Sequence, residues 1–258
     1  MKTSISQELI NNIIKIAKEA GMAIMKTYQQ DFEVYQKDNQ SPITLADLKA
    51  HQIIMARLAL LPEKYPVLSE ESSFINWETR NSWQTYWLVD PLDGTKEFIN
   101  KNDEFTVNIA LIHEGEPVLG VVYIPATKIT YWAGQGLGAF KEENGTTVAI
   151  SASPIPKDAA VVQVLASRSH PSADLPEYLK RFKNHVITEV GSSIKLCLIA
   201  EGKAHIYPKL GPTYEWDLGA AHAVMLEAGA EIKNLAGEPL RYNLKNSLIN
   251  PPFVAQAK

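Results

Sequence analysis

The chain has 258 residues, 45% of them hydrophobic and 21% charged, with a formal net charge of -4. That balance is ordinary for a water-soluble globular protein, the length suffices to bury a core without staples, and no basic field is offered to a nucleic-acid polymer. One cysteine, Cys197, excludes an intrachain disulfide; no apolar run is long enough for a membrane span, and the opening MKTSISQELI lacks a signal core, so a cytoplasmic protein is expected.

A first helix is predicted from about Ser4, where Ser4 and Gln7 have capping-box spacing and Leu9, Ile10, Ile13, Ile14 and Ala17 recur at helical period. A second follows Pro42 and Ile43, with Thr44 at the cap and Asp47 at the third helical position. It turns Leu48, Ile54, Leu58 and Leu61 inward and stops at Pro62. The texture then changes to short apolar runs. Pro66 to Leu68 and Trp87 to Val89 read as buried strands, each leading directly into acid, and 106–112, 118–124 and 129–133 as antiparallel strands broken by Gly and Pro. Beyond Ser151 a strand is predicted over 161–165, helices over 175–182 and 192–200, and a last helix over 216–228 with Leu218, Ala221, Met225 and Ala228 on one face. The pattern implies a layered α+β fold, with subdomains over 1–150 and 151–258 and no flexible linker between them.

The acids stand where buried elements emerge: Glu70 and Glu71 after the first strand, Asp90 and Asp93 in Asp90-Pro91-Leu92-Asp93-Gly94-Thr95, and Asp217 opening the last helix. Four such carboxylates (Glu70, Asp90, Asp93 and Asp217) converging without counter-charge would raise one another's pKa values. A hard divalent cation with oxygen ligands, magnesium above all, resolves that conflict, and no His or Cys spacing suits zinc. Singly, an acid at a strand end is more often a solvated turn residue; Asp47 is explained by the helix dipole alone, and Glu71 reads as solvent-facing or as a support. The segment from Asp90 to Thr95 resists that reading. Pro91 stiffens it, Gly94 permits an unusual backbone angle, and Thr95 to Glu97 begin a short helix whose free N–H groups suit an anion.

These residues resemble the signatures of the lithium-sensitive, magnesium-dependent phosphatases typified by inositol monophosphatase. The motifs stand here as Trp87-Leu-Val-Asp-Pro-Leu-Asp-Gly-Thr-Lys-Glu-Phe98 and Trp216-Asp-Leu-Gly-Ala-Ala-His222, with Glu70-Glu71 upstream. Lys96-Glu97-Phe98, Ser167-Arg-Ser-His170, Gly191-Ser-Ser-Ile-Lys195 and Tyr207-Pro-Lys-Leu-Gly-Pro-Thr213 further resemble the 3′(2′),5′-bisphosphate nucleotidases of the CysQ type.

The resemblance implies an α-β-α-β-α sandwich and hydrolysis of adenosine 3′,5′-bisphosphate, with its sulfated analogue as a further substrate, to AMP and phosphate. Glu70, Asp90 and the carbonyl of Leu92 would hold one magnesium ion, and Asp90, Asp93 and Asp217 a second. Gly94 and Thr95 would donate to the scissile phosphate, while Asp47, Thr95 and Glu70 would orient and deprotonate the attacking water. Glu70, Leu92, Asp93 and Asp217 thereby also contact substrate through its phosphate. Ser192 and Lys195, three residues apart near a helix start, are set to face a second phosphate; Lys209 and His170 are added by resemblance alone. Cys197 reads as core, and Tyr131 and Trp132 as strand packing rather than a base-stacking pair. An inositol or sugar phosphatase on the same scaffold is the alternative, a non-catalytic sensor a more distant one. Homodimers and peripheral attachment to the cytoplasmic face of an inner membrane occur among relatives; no pattern in this chain encodes either.

Overall fold

The computed structural model describes residues 5–36, 42–72, 75–156 and 161–258. Helix α1 spans Gln7–Tyr28 behind an Ser6 cap whose hydroxyl accepts from the Leu9 N–H, two residues later than the expected start; the Ser4 cap lies outside the described residues. After a short antiparallel pair, β1 (Val34–Gln36) and β2 (Pro42–Thr44), comes α2 (Leu45–Leu58). Here the expected cap is formed: Asp47 accepts from the Thr44 N–H, and the Thr44 hydroxyl accepts from the Ala46 N–H. Leu48 is 40% exposed rather than buried, while Ile54, Leu58 and Leu61 are buried. Only one edge of α2 meets α1 and the sheet below, and Leu48 falls outside it.

A seven-stranded sheet follows in spatial order β3 (Val67–Ser69), β4 (Thr85–Asp93), β5 (Thr106–His113), β6 (Glu116–Ile124), β7 (Ile129–Gly134), β8 (Gly138–Glu143) and β9 (Thr146–Ala149). All pairings are antiparallel except β3 with β4. Short helices α3 (Trp77–Arg80) and α4 (Thr95–Ile99) flank β4. A five-stranded sheet is ordered β11 (His185–Val190), β10 (Val162–Ser167), β12 (Ile206–Lys209), β14 (Phe253–Ala257) and β13 (Ala230–Asn234). The remaining helices are α5 (Leu175–Leu179), α6 (Ile194–Ala200) and α7 (Glu215–Glu227).

The layers run α1 and α2, large sheet, α6 and α7, small sheet, α5. Strand alternation in the large sheet divides the core accordingly. Trp87, Val89, Ile109 and Leu111 pack with Ile10, Ile13 and Ile54 on the outer side, whereas Leu88, Ala110 and Ile112 pack with Leu218, Ala221 and Met225 on the inner. Because α7 is covered by a sheet on each side, residues 218–225 are all buried and the helix carries no polar face. Leu179 of α5 caps the far side of the small sheet against Val162, Val164 and Ile206. This is the α-β-α-β-α sandwich.

Candidate active site

Strand β4 does not stop at Val89. It continues to Asp93, with its register against β5 shifting between Asp90 and Asp93, so a bulge forms at Asp90–Asp93. Pro91, which has no N–H to give a ladder, sits in that irregularity, and the Leu92 N–H turns back to donate to Asp90 Oδ1 at 3.1 Å. The bulge aims both acids at one end of the sheet. Gly94 then adopts φ +91° and caps α4, and a Cβ there would lie 3.0 Å from the Glu104 carbonyl. Only glycine fits both requirements.

Two further acids are placed by a shared device. Asp47 and Asp217 each occupy the third position of their helices, and each spends one carboxylate oxygen on a cap N–H: Asp47 Oδ2 on Thr44 at 2.8 Å, Asp217 Oδ2 on Tyr214 at 2.9 Å. Glu70 is brought in by its N–H, which donates to the Val89 carbonyl and extends the β3–β4 pairing by one residue.

These elements surround a cavity of about 520 Å³, a volume suited to a nucleotide-sized ligand. Glu70, Asp90, Leu92, Asp93, Gly94, Thr95, Ser192, Lys195 and Asp217 all line it, and so do His170 and Lys209. Asp47 stands one bond behind the wall, accepting from the Thr95 hydroxyl through Oδ1 at 3.2 Å. Glu71 does not line the cavity. Tyr131 and Trp132 lie elsewhere: the Tyr131 hydroxyl donates to Glu201, and Trp132 stacks on Phe140 with ring centres 4.2 Å apart. Both serve packing, and Cys197 is core.

The electrostatics separate the cavity into two sides. On the acidic side, burial pushes the Asp93 carboxyl up to about 6, with Glu97 and Glu70 adding to the rise and Lys195 and the Ser193 N–H opposing it. Burial, then Asp93 and Glu70, drive Asp217 well above the usual carboxylate range. Asp47 is also raised by burial, against its bonds from Thr44. On the basic side, burial lowers Lys195 to about 8 despite Asp93 and Glu97 and lowers Lys209 as well; the His170 ring is lowered by its partial burial and then by the charges of Lys96 and Lys209. Lys195 is 6% exposed and donates to the Val190 and Ser192 carbonyls, so it is not a solvated helix lysine. His170 is exposed and its Nε2 lies 2.9 Å from Lys96 Nζ.

Among the described residues, no three acid, imidazole or thiol groups are drawn close enough together to hold one ion between them as they stand. The fit to a hard divalent cation lies in the donor chemistry: oxygen donors gathered on one wall, with Asp93 and Asp217 raised by burial and by neighbouring acids, a conflict that bound positive charge removes.

Sequence reasoning missed the residues that brace this wall. The Ser193 N–H donates to Asp93 Oδ2 at 2.6 Å, Asn108 Nδ2 reaches the same oxygen at 3.4 Å, and the Ser193 hydroxyl bonds Asn108 and Thr106. The available signal was Asn108, a buried amide inside the otherwise apolar run of β5. Pro42, Tyr214 and Ile249 also line the cavity, as does Lys96 of the Lys96-Glu97-Phe98 segment.

A two-sheet sandwich with acids at a strand bulge, at two helix starts and around one polar cavity has the make-up of a phosphomonoesterase fold. The sequence model of the inositol monophosphatase family matches residues 6–258, and the chain belongs to that family. It is 48% identical to the 3′(2′),5′-bisphosphate nucleotidase CysQ of Escherichia coli K12, covering 95% of this chain and 98% of that one. The Buchnera aphidicola protein of the same name is 43% identical over 98% of this chain and 96% of its own. Among solved structures, CysQ from Bacteroides thetaiotaomicron superposes with a TM-score of 0.84 at 41% identity, covering 98% of both chains. A Thermotoga maritima IMPase, 21% identical, shares the fold with a TM-score of 0.76 over 97% of this chain and 92% of that one.

Proposed function

We propose that this chain is a 3′(2′),5′-bisphosphate nucleotidase that uses magnesium to hydrolyse adenosine 3′,5′-bisphosphate to AMP and phosphate. The observation that carries the reading is the meeting of Asp217 with the Asp90–Thr95 turn on one cavity, although they are far apart in sequence. Relatives of 43–48% identity that bear this activity in their names support the substrate class.

Glu70, Asp90, the Leu92 carbonyl, Asp93 and Asp217 would hold the cations, which when bound supply positive charge for phosphoryl oxygens and acidify water. The chain's own groups do the rest. Gly94 and Thr95, at the start of α4, direct N–H groups at the phosphoryl oxygens. The Thr95 hydroxyl spends its proton on Asp47, so its lone pairs face the attacking water and accept from it. Proton transfer passes along Thr95 to Asp47, with Glu70 orienting the water on its other side. Asp47 suits the part because burial has already raised its affinity for a proton. Water attacks phosphorus in line, the bond from phosphorus to the nucleotide 3′-oxygen breaks on the opposite side, and that oxygen takes a proton from solvent to leave as the 3′-hydroxyl of AMP; no residue is phosphorylated, and configuration inverts.

The second phosphate belongs on the basic side. Ser192 and Lys195 form its floor, with Lys209 and His170 completing the wall. In this reading the labour divides near residue 150: the first part supplies most metal and phosphate ligands, the second supplies Asp217 and the nucleotide side. Lithium inhibition and a cytoplasmic location belong to the same proposal; among the described residues no helix is long and apolar enough to cross a membrane.

A substrate panel tests the reading. With magnesium, adenosine 3′,5′-bisphosphate should turn over faster than inositol 1-phosphate or sugar phosphates; the reverse order rejects the substrate assignment.

A further inference from the structure

The turn that joins β11 to α6 carries much of the proposed site, yet little in its own sequence holds it in shape. Ser192 sits at φ +46°, a left-handed conformation that costs a non-glycine residue energy and persists only where the surroundings impose it. Its neighbour Ser193 fixes Asp93 through a backbone N–H, and Lys195 closes the turn from within by donating to Val190 and Ser192. An outside brace is needed.

Glu104 provides one. Its Oε2 accepts from the Gly191 N–H at 2.7 Å and from Arg168 Nε at 2.8 Å, and Oε1 accepts from a second Arg168 nitrogen at 2.8 Å. Arg168 also donates to the Glu189 carbonyl at 2.7 Å, tying the fork to β11. Burial works against the Glu104 charge, but the Arg168 fork and the Gly191 N–H overcome it and hold its pKa below the usual value. Charge-assisted and two-pronged bonds of this kind are the strongest available to a side chain.

The backbone of Glu104 is equally involved. Its carbonyl lies 2.8 Å from where a Cβ on Gly191 would stand, and 3.0 Å from the equivalent point on Gly94. One residue therefore contacts the phosphate turn on one side and the Ser192 turn on the other. Glu104 is itself firmly seated. The connection from α4 to β5 contains Lys101 at φ +55° and Asp103 at φ +69°. Asp103 exchanges hydrogen bonds with the Tyr28 hydroxyl at the end of α1, and Asn102 accepts from the Glu104 N–H.

We propose that Glu104 is a positioning residue for catalysis: it sets the Gly191–Lys195 turn, and through Ser193 the Asp93 carboxylate, against the Gly94–Thr95 turn. The inference rests on the cavity being the catalytic site, as proposed above, but concerns a residue that does not line the cavity or touch substrate.

The test compares Glu104→Ala with Glu104→Gln. Glutamine keeps a carbonyl to accept from Gly191 and loses the charge toward Arg168; alanine loses both. For Glu104→Ala we expect kcat/KM on adenosine 3′,5′-bisphosphate to fall roughly 10- to 100-fold, the scale of an ångström-sized misplacement. The magnesium concentration for half-maximal rate should rise, and amide hydrogen exchange over 191–195 should quicken while the rest of the chain is unchanged. Glu104→Gln should recover most of each. Alanine values equal to wild type in exchange, KM and magnesium requirement overturn the inference, and so does a lower melting temperature with those three unmoved. If Glu104→Ala does not fold, Arg168→Ala, which frees the carboxylate but leaves Gly191 bonded, should show the same changes in smaller degree; wild-type values there overturn the inference. Hydrogen exchange needs no substrate. A wild-type protein that leaves the bisphosphate untouched would therefore reject the functional reading while the exchange data still judge Glu104.

Discussion

Replacing Asp93 by asparagine should separate stability from activity in opposite directions. The charges of Glu97 and Glu70 act on Asp93, which in turn acts on Asp217, and the Asp93 carboxyl is pushed from 3.8 to about 6, burial being the first cause. A carboxylate whose folded-state pKa is raised keeps its proton longer when folded than when unfolded. Stability is then unaffected below about pH 3.8 and is progressively lost as pH rises to about 6. The rise corresponds to a ceiling of about 3 kcal/mol, or ~1–2 kcal/mol after screening by water in the cavity. Asparagine retains an oxygen for the Ser193 N–H and removes the charge. In chelator at pH 7.5, denaturant unfolding should therefore show the variant more stable than wild type by about that ~1–2 kcal/mol. Activity with magnesium should fall by roughly 10³-fold or more, as expected when a ligand charge at a phosphoryl-transfer site is lost. A less stable metal-free variant, or one with near wild-type turnover, would refute the reasoning.

Three further outcomes are expected. Gly94→Ala places a side chain at φ +91° against the Glu104 carbonyl and should cost about 1–2 kcal/mol in unfolding experiments, with a larger proportional loss of kcat. Asp47→Asn should lower kcat by ~10²–10⁴-fold with little change in KM, because it removes the proton's destination rather than a ligand to substrate; an increase in KM alone would contradict that role. His222 is buried against the Tyr242 hydroxyl, and burial brings its pKa from 6.5 down to about 3. The unfolded chain thus takes a proton that the folded chain refuses, and stability complete above pH 6.5 is lost at about 1.4 kcal/mol per unit as pH falls toward 3. His222→Gln should flatten the stability profile between pH 6.5 and 5 by about 2 kcal/mol relative to wild type.

Much of this molecule is readable from residue patterns because its chemistry is concentrated in short segments. The layered fold follows from where helical periodicity gives way to apolar runs, and the acids are conspicuous because each interrupts such a run. What escapes is non-local. The exposed edge strand β11 carries no alternation, and among the described residues its one neighbour within the sheet is β10, paired in parallel. The Leu48 side chain sits on a face of α2 that the described residues leave 40% exposed, a fact of packing rather than of helical period. The continuation of β4 past Val89 depends on a bulge that β5 stabilises. Ser193, Asn108 and Glu104 brace the site from other elements, so their place emerges only when β5, β10 and α6 meet.

The proposed reaction depends most on four acids acting together around divalent cations beside a phosphoryl group. A crystal soaked with magnesium, AMP and phosphate examines this directly. The expected density has magnesium ligated by Glu70, Asp90, Asp93 and Asp217, phosphate against the Gly94 and Thr95 N–H groups, and the AMP phosphate toward Lys195. Magnesium and phosphate bound outside this cavity, or phosphate bound within it on the lysines alone with no metal on the acids, would contradict it.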